Sequence, residues 1–461
     1  MSSLSETDPA KPTRGRLVLG AWLCGLSGVL YLDRICMSQA LPAIQEQLGL
    51  SNTQGSYVLM AFTLAYGICE IPTGLLGDRL GARLVITRIV LWWSAFTMLT
   101  GACTGLYSLL LVRFLFGAGE AGAFPNAARV IHTWFPPSER GRMQGFLFGS
   151  AQVGAVVAPA LTAQIIERLG WHWAFVFFGL VGTVWAAGFW WWFRDDPANH
   201  PGVNPVELAI IHHGESRAEG PTPPIRWGQV LTNRGVLTLC VIMIMACFYS
   251  YFFYSWFPKY LRQGRGLDNI HAGYLASLVL AGSAAGVLGG GWLADRIARL
   301  SVDTRAAVTA QRRLAVVCYL VAAGLLYAGI RCEKPEMLAA LWAASFMAMH
   351  ITLPNWWVIA SRQAGKNVGA LCGLMNGIGV VGALASQWFV GAYADYQEKK
   401  GFTGRDQWDP MFDIYALVLV LTAAVWWTYR YTPLEEVGDE PGGIKNGLAN
   451  SHPVDLATGD D

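Results

Sequence analysis

About twelve apolar runs, each long enough to cross a bilayer as a helix, follow one another along this chain. One crossing needs roughly 20 consecutive apolar residues. Lipid offers the backbone no hydrogen-bond partners, so segments of this kind must be helical. The sequence therefore predicts an all-α integral membrane protein. The runs are centred near Leu26, Thr63, Ser94, Gly117, Val156, Val181, Cys247, Ala281, Val317, Ala348, Gly379 and Leu419.

Composition supports this fold class and argues against several functions. Of the 461 residues, 54% are hydrophobic and 14% are charged, so little of the chain is left for a folded domain outside the bilayer. The sequence has no basic stripe for nucleic acid, and its nine cysteines stand singly. It also has no His-rich metal cluster, nucleophile motif or cofactor loop. We therefore expect neither enzymatic activity nor a metal, a cofactor or a nucleic-acid partner.

One long hydrophilic stretch divides the spans six and six. We expect a disordered segment at 1–13, a six-helix bundle at 14–194, a cytoplasmic linker at 195–234, a second six-helix bundle at 235–432 and a disordered tail at 433–461. Asn204 followed by Pro205 predicts the start of a short helix in the linker. The adjacent His212 and His213 would point about 100° apart on a helix, which argues against a metal site.

The distribution of basic residues predicts the orientation. Lys11, Arg14 and Arg16 precede the first span, the loop at 43–55 carries no Lys or Arg, and basic residues return in the next loop from Arg79 onward. The positive-inside rule then places both termini in the cytoplasm. We expect a multi-pass protein of the cell inner (plasma) membrane.

Two of the predicted spans carry charges at membrane depth. Arg113 and Glu120 lie seven positions apart, close to two helical turns, and therefore on one face about 10 Å apart. Asp33 and Arg34 interrupt the first span in the same way. Each ionised group costs roughly 2.5 to 3.5 kcal/mol at a helix centre, so such residues turn towards a partner or a water-filled cavity. We interpret the two stretches as two sides of one polar cavity.

This set of charges predicts an anionic substrate and proton coupling. If Glu120 or Asp33 takes up a proton, Arg34 or Arg113 is freed to bind a carboxylate through its planar guanidinium. An apolar surrounding favours the neutral form of a carboxyl group, which makes Glu120 the natural proton carrier. The alternative is a structural salt-bridge cluster that locks the bundle.

Single polar side chains in the spans are candidates for contact with substrate hydroxyl groups. Helix-to-helix hydrogen bonds are the alternative for each of them. Trp356 could stack on a sugar ring, although tryptophans at span ends are commonly interfacial anchors. The polar candidates are Tyr31, Tyr66, Gln152, Asn355 and Asn376.

Short patterns indicate helix packing and internal repetition. Gly145-x-x-x-Gly149 and Gly286-x-x-x-Gly290 predict close approach of neighbouring helices. The Asp-Arg pair in the loop after the second span recurs as Asp295-Arg296 after the eighth span, which predicts two related bundles.

The loop after the second span closely resembles the signature of the major facilitator superfamily. The resemblance implies two pseudo-symmetric six-helix bundles and a conformational latch at this loop. The latch residues are Gly74, Asp78, Arg79, Gly81 and Arg83. Other motifs resemble the anion:cation symporter family within that superfamily, namely Tyr31-x-Asp33-Arg34, Arg113 with Gly119-Glu120-Ala121, Trp256-x-Pro258 and Asn376-Gly377.

This resemblance implies a secondary active transporter that imports an organic anion, in the first place a sugar acid (hexonate, hexuronate or aldarate), by proton symport with alternating access. It implies proton coupling at Asp33 and Glu120, substrate contact at Arg34, and activity as a monomer in the lipid bilayer. Residues 361–363 depart from the family pattern, which affects substrate identity most. The alternatives are an antiporter or uniporter for another organic anion or drug, and a non-transporting sensor on the same fold.

Overall fold

The computed structural model describes residues 11–213, 227–364 and 368–434, with side chains throughout except at 71, 74–79 and 368–370. The first half contains α1 (Gly15–Leu48), α2 (Asn52–Leu80), α3 (Ala82–Thr100), α4 (Leu106–Glu120), α5 (Ala123–Trp134), α6 (Pro137–Leu169) and α7 (Trp171–Trp192). The linker contributes a 3₁₀ turn (Pro197–Asn199), α8 (Pro205–His212) and α9 (Trp227–Thr232). The second half contains α10 (Arg234–Ser255), α11 (Phe257–Lys259), a π-helical turn (Tyr260–Gly264), α12 (Asn269–Leu300), α13 (Thr304–Arg331), α14 (Pro335–Ala364), α15 (Val368–Lys399), α16 (Gly404–Trp408) and α17 (Met411–Thr428).

Every predicted span centre lies in one of these helices. Within the described residues, eleven helical segments are long and apolar enough to cross a membrane, and α4 with α5 counts as one of them. Helix α2 has 29 residues, more than the roughly 20 that one crossing needs. The all-α membrane fold predicted from the sequence is confirmed.

The two halves pack in the same pattern. In the first half, the first span packs on the fifth (α1 on α6), the second on the fourth (α2 on α4) and the third on the sixth (α3 on α7). In the second half α10 packs on α15, α12 on α14 and α13 on α17, which are the same three pairings. Contacts between the halves follow the same symmetry, since α2 packs on α15 and α6 packs on α12. The structure is therefore two pseudo-symmetric six-helix bundles.

The fourth span crosses as predicted, but its helix is broken directly after Glu120. Helix α4 ends at Glu120, Gly122 has a φ of 87°, and α5 begins at Ala123. Glycine adopts this left-handed conformation without steric cost. A Cβ at position 122 would also lie 2.7 Å from the Thr73 side chain of α2. The break therefore depends on Gly122 and leaves Glu120 at a helix end.

The linker is anchored to the start of the first span. Asn204 caps α8 by accepting a hydrogen bond from the Glu207 backbone N–H at 2.9 Å, as the sequence predicted. The buried Glu207 carboxylate accepts hydrogen bonds from the backbone N–H groups of Gly15 and Arg16, at 3.0 and 3.1 Å. The hydroxyl group of Thr13 also donates to this carboxylate, so the end of the segment expected to be disordered contacts the linker.

Hydrogen bonds between the bundles concentrate, within the part of the chain described, in the half of the molecule that contains the α1–α2 connection. Lys259 donates to Gln45 Oε1 at 2.5 Å and also to Asn52 Oδ1. Asp395 accepts from the backbone N–H groups of Asn52 and Thr53 at 2.9 and 2.8 Å, so an acid of α15 caps the first turn of α2. Polar contacts therefore join the two bundles at this end.

The amine of Lys259 makes this contact sensitive to pH. Burial lowers the pKa of Lys259 from 10.5 to about 7, against the attraction of Asp395 and Glu398 and together with repulsion from Arg262. Burial in the contact with Gln45 and Asn52 therefore favours the neutral amine of Lys259 over the charged form. Because an exposed lysine keeps its proton up to about pH 10.4, the stability of this contact increases as the pH rises from about 7 towards that value.

Glycines set how closely α12 and α14 approach each other. A Cβ at Gly286 would meet the backbone carbonyl of Met347, and one at Gly290 would meet that of Ile351. The close approach predicted from this glycine spacing is confirmed.

The glycine pair in α6 behaves differently. Gly145 and Gly149 face open space, so the helix contact predicted for them is wrong. Further along the same helix, Gly154 lies against the backbone of Gly28 in α1. Spacing alone therefore identified a glycine-rich helix without identifying the face that packs.

We expect Gly290→Ala to lower the free energy of unfolding by about 1–3 kcal/mol, because the added methyl group would be forced into the Ile351 carbonyl. Gly289→Ala is the matched control, since the neighbouring position faces open space and gains helix propensity. Thermal unfolding of the two purified variants in detergent measures the difference. Equal melting temperatures would contradict this packing.

Candidate functional site

An ion pair between α1 and α4 lies at the centre of the first bundle. The Arg34 Nε donates to Glu120 Oε1 at 2.9 Å, and the Arg34 Nη2 donates to the same oxygen. The Glu120 side chain is fully buried, whereas 17% of the Arg34 side chain is exposed. The pair therefore has a buried acid and a base that can be reached from the space between the helices.

A second acid and base lie beside this pair. Asp33 and Arg113 are 1% and 2% exposed, and Arg113 attracts both Asp33 and Glu120. The carboxylate of Asp33 also faces the indole of Trp93. Within the described residues, neither Asp33 oxygen nor Glu120 Oε2 accepts a hydrogen bond that meets normal geometry. The structure thus brings the four predicted charged residues together, with two acids that have unused acceptor atoms.

Aromatic rings surround the two guanidinium groups. The Phe62 ring lies 5.1 Å from the guanidinium carbon of Arg34 and 5.2 Å from that of Arg113. The Phe116 ring lies 4.4 Å from Arg113. All three distances are within the range of cation–π attraction, which offsets part of the cost of burying a cation. Sequence reasoning missed both rings, although Phe116 follows Arg113 by three residues and so shares its helix face.

The exposed side of Arg34 faces two tyrosines predicted from the sequence. Its guanidinium carbon lies 5.3 Å from the Tyr31 ring and 4.7 Å from the Tyr66 ring. Tyr251 and Tyr254 of α10, in the second bundle, are both half-buried. Tyr251 lies close enough to interact electrostatically with Arg34, and Tyr254 lies close enough to interact with Tyr31. Sequence reasoning missed these two, and their spacing of three residues on one helix face was the available signal.

A third acid was also missed. Glu70 of α2 accepts a hydrogen bond from the Tyr66 hydroxyl group at 3.2 Å and one from Asn376 Nδ2 of α15 at 2.7 Å. Glu70 follows Tyr66 by four residues, so both point from one face of α2. Two side chains predicted to contact substrate are therefore bound to a carboxylate of the protein itself.

The remaining predicted candidates differ in their surroundings. Gln152 Nε2 donates to Ser283 Oγ of the other bundle at 3.2 Å. Asn355 is buried and donates to the carbonyls of Ile351 and Gly290, at 2.8 and 3.4 Å, which is the alternative helix-to-helix role. Trp356 is also buried, at 2% exposure.

The predicted latch lies at the opposite end of α2 from the α1–α2 connection. Gly81 has a φ of 84°, and its Cα faces the Asp195 carboxylate. The Arg83 backbone N–H donates to Asp195 at 2.9 Å, and its guanidinium donates to the Trp190 carbonyl and lies 4.3 Å from the Trp190 ring. Gly74, Asp78 and Arg79 lie in the last part of α2, and their surroundings are outside the described part of the structure. The α2–α3 turn is thus fixed to the end of α7.

The described side chains of the site supply acids, bases, aromatic rings and amide groups. Among the described residues, no group of three or more His, Cys, Asp or Glu side chains could hold a metal ion. A partly exposed arginine paired with a buried acid can exchange that acid for another carboxylate, because guanidinium binds either one with the same geometry.

Comparison with known proteins finds similarity to membrane transporters. A model of the Major Facilitator Superfamily matches residues 23–387. A D-galactonate transporter of Escherichia coli O6:H1 is 29% identical over 395 residues, covering 84% of this chain and 90% of that protein. A probable galactarate/D-glucarate transporter of Escherichia coli K12 is 30% identical over 453 residues, covering 92% and 96%. A probable sulfoacetate transporter of Cupriavidus necator is 32% identical over 376 residues, covering 80% and 85%.

Solved structures share the fold. A bacterial homolog of the human lysosomal transporter Spinster, in an inward-facing and unoccupied conformation, superposes with a TM-score of 0.75 at 19% identity, covering 92% of this chain and 97% of that chain. A D-xylose-proton symporter superposes with a TM-score of 0.69 at 13% identity, covering 90% and 100%.

We expect Glu120→Gln to lower the free energy of unfolding by about 3 kcal/mol, because it leaves Arg34 without its charged partner. Glu139→Gln is the matched control, since Glu139 pairs with Arg16 at 31% exposure and such pairs contribute about 0–1 kcal/mol. Thermal unfolding in detergent measures both. A Glu120→Gln effect no larger than that of the control would show that the ion pair is not holding α1 to α4.

Proposed function

Because this chain belongs to the major facilitator superfamily, whose model matches most of its length, we propose that it imports a sugar acid across the bacterial inner membrane together with one or more protons. The chain is a multi-pass membrane transporter, not an enzyme. The observation that carries the proposal is the partly exposed Arg34 held by the fully buried Glu120. We propose that a single chain is active and that both of its termini are cytoplasmic.

Arg34 supports an anionic substrate. Its guanidinium is permanently charged and planar, with donors arranged to bind a carboxylate bidentately. The rings of Tyr31 and Tyr66 flank its exposed side, and tyrosines are suited to both sugar hydroxyls and sugar rings. The relatives named for galactonate and for galactarate and glucarate support a sugar acid within this class. Gln152 and Asn376 complete the proposed polar lining, and Arg113 supplies the second positive charge.

Glu120 and Asp33 support proton coupling. Both are buried, and together they leave three carboxylate oxygens without a hydrogen bond from the described residues. A buried acid with unused acceptors is least costly when it is protonated. Protonation of Glu120 would release Arg34, and the incoming carboxylate would then replace the lost charge. Binding of the proton and binding of the anion thereby favour each other.

The contacts between the bundles support alternating access. If the N-terminus is cytoplasmic, the α1–α2 connection faces outward, and Lys259 with Asp395 closes the outer side. The path to Arg34 then opens towards the cytoplasm. The outward-open state requires these contacts to break and the Gly81–Arg83 turn, the proposed latch, to close the inner side.

We expect Arg34→Ala to weaken sugar-acid binding at least tenfold, because the carboxylate loses its bidentate partner. Arg34→Lys should recover only part of the affinity, since an amine cannot bind in the same forked geometry. The surface cation Arg331 provides the control Arg331→Ala. Thermal-shift binding against sugar acids, dicarboxylates, sulfonates, neutral sugars and cations measures the affinities. Unaltered affinity in Arg34→Ala, or stabilisation by cations alone, would reject the proposed site.

We expect Glu120→Gln to abolish proton-driven accumulation while the variant still exchanges internal for external substrate. The neutral amide mimics the protonated acid, so the binding form is kept while proton release is lost. Proteoliposomes preloaded with substrate measure exchange, and empty proteoliposomes with an inward proton gradient measure accumulation. Full accumulation by Glu120→Gln would remove Glu120 from the coupling mechanism.

A further inference from the structure

We infer that Glu70 selects substrates with one acid group and a hydroxyl group at the far end of the molecule, and rejects those with an acid group at both ends. This inference rests on the proposed function, since it assumes that a sugar acid binds with one carboxylate at Arg34. It concerns the opposite end of the same site, where α2 meets α15.

Glu70 occupies donors that a second substrate carboxylate would need. The Tyr66 hydroxyl donates to Glu70 Oε1 at 3.2 Å, and Asn376 Nδ2 donates to Glu70 Oε2 at 2.7 Å. Both neighbours act as donors. This arrangement suits an ionised carboxylate, because an ionised carboxylate can only accept hydrogen bonds. The protein therefore already places a carboxylate where a dicarboxylate would place its second one.

Tyr66 fixes the position of Glu70 relative to the carboxylate-binding arginine. The Arg34 guanidinium carbon lies 4.7 Å from the centroid of the Tyr66 ring, and the hydroxyl group at the end of that ring donates to Glu70. A molecule bound to Arg34 and lying along the Tyr66 ring reaches Glu70 with its other end. Glu70 is half-buried, so it can be reached from the same space as Arg34.

The balance of charges at the site also favours a substrate with one acid group over a substrate with two. Arg34 and Arg113 carry two positive charges, whereas Asp33, Glu120 and Glu70 can carry three negative charges. Protonation of Glu120 leaves two charges of each sign, and a singly charged anion adds one more. A second carboxylate beside Glu70 would add a further negative charge directly against a like charge, which is strongly unfavourable away from water.

A terminal hydroxyl group fits the same place without this conflict. Each carboxylate oxygen of Glu70 has a lone pair left after the bonds from Tyr66 and Asn376. A hydroxyl group can donate to one of them, and a hydrogen bond to an ionised acceptor is among the stronger kinds. The site therefore gains a bond from an aldonate and suffers repulsion from an aldarate of the same length.

The test compares three acids that differ only at the last carbon, namely D-galactonate, galactarate and 6-deoxy-D-galactonate. Dissociation constants are measured at neutral pH by thermal shift and isothermal titration on the full-length protein in detergent. We expect the unmodified protein to bind D-galactonate at least tenfold more tightly than either of the others. In Glu70→Gln, galactarate should gain at least tenfold relative to D-galactonate.

Two control variants separate charge from size and position. Glu70→Asp keeps the charge and should keep the preference for D-galactonate, whereas Glu139→Gln removes an acid far from the site and should change nothing. If Glu70→Gln does not fold, the three acids on the unmodified protein decide the question alone. Equal binding of D-galactonate and galactarate, or of D-galactonate and its 6-deoxy form, would overturn the inference.

Failure of this inference is distinguishable from failure of the proposed function. If the unmodified protein binds none of these acids and no other sugar acid, the proposed function fails and this inference fails with it. If sugar acids bind, and the ratio of galactarate to D-galactonate affinity is the same with glutamate and glutamine at position 70, the role of Glu70 alone is rejected.

Discussion

The bond between Arg34 and Glu120 is the interaction on which the rest of this structure depends. It places a charged pair inside a bundle whose outer surface faces lipid, and such a pair is stable only if the surrounding helices exclude lipid and supply compensating contacts. The rings of Phe62 and Phe116 and the second arginine, Arg113, provide that surrounding. The break after Glu120 adds a helix end at the same depth, which is the arrangement that transporters use where polar chemistry must occur inside a membrane.

The residues around this ion pair also contact the second bundle. Arg34 belongs to the first bundle, but it lies near Tyr251 of α10, and its neighbour Tyr66 is linked through Glu70 to Asn376 of α15. A change in the charge of Glu120 would therefore change the electrostatic field at the boundary between the two bundles. Hydrogen bonds of Lys259 and Asp395 hold the two bundles together at one end of this boundary. In the proposed mechanism, the substrate site and the conformational change share residues.

Much of the fold was predictable because hydrophobic length and charge at membrane depth are strong local signals. The span centres and the four charged residues of the first bundle needed no knowledge of packing. Features that depend on which face of a helix meets its neighbour were not predictable. Gly145 and Gly149 have the expected spacing, yet they face open space while Gly154 makes the contact. Glu70 was missed because its partner Asn376 is distant in sequence. The contact of Asn355 with the Gly290 carbonyl of α12 was not predictable either, because these two residues are also distant in sequence.

The most direct test of the central claim is uptake of a radiolabelled sugar acid by proteoliposomes of the unmodified protein under an imposed proton gradient, with the gradient then removed by a protonophore. We expect accumulation above the external concentration when the outside is acidic, acidification of the lumen in step with uptake, and loss of the accumulated substrate when the protonophore dissipates the gradient. Uptake that only equilibrates the two sides, at a rate independent of the gradient, would contradict proton coupling and identify a uniporter instead.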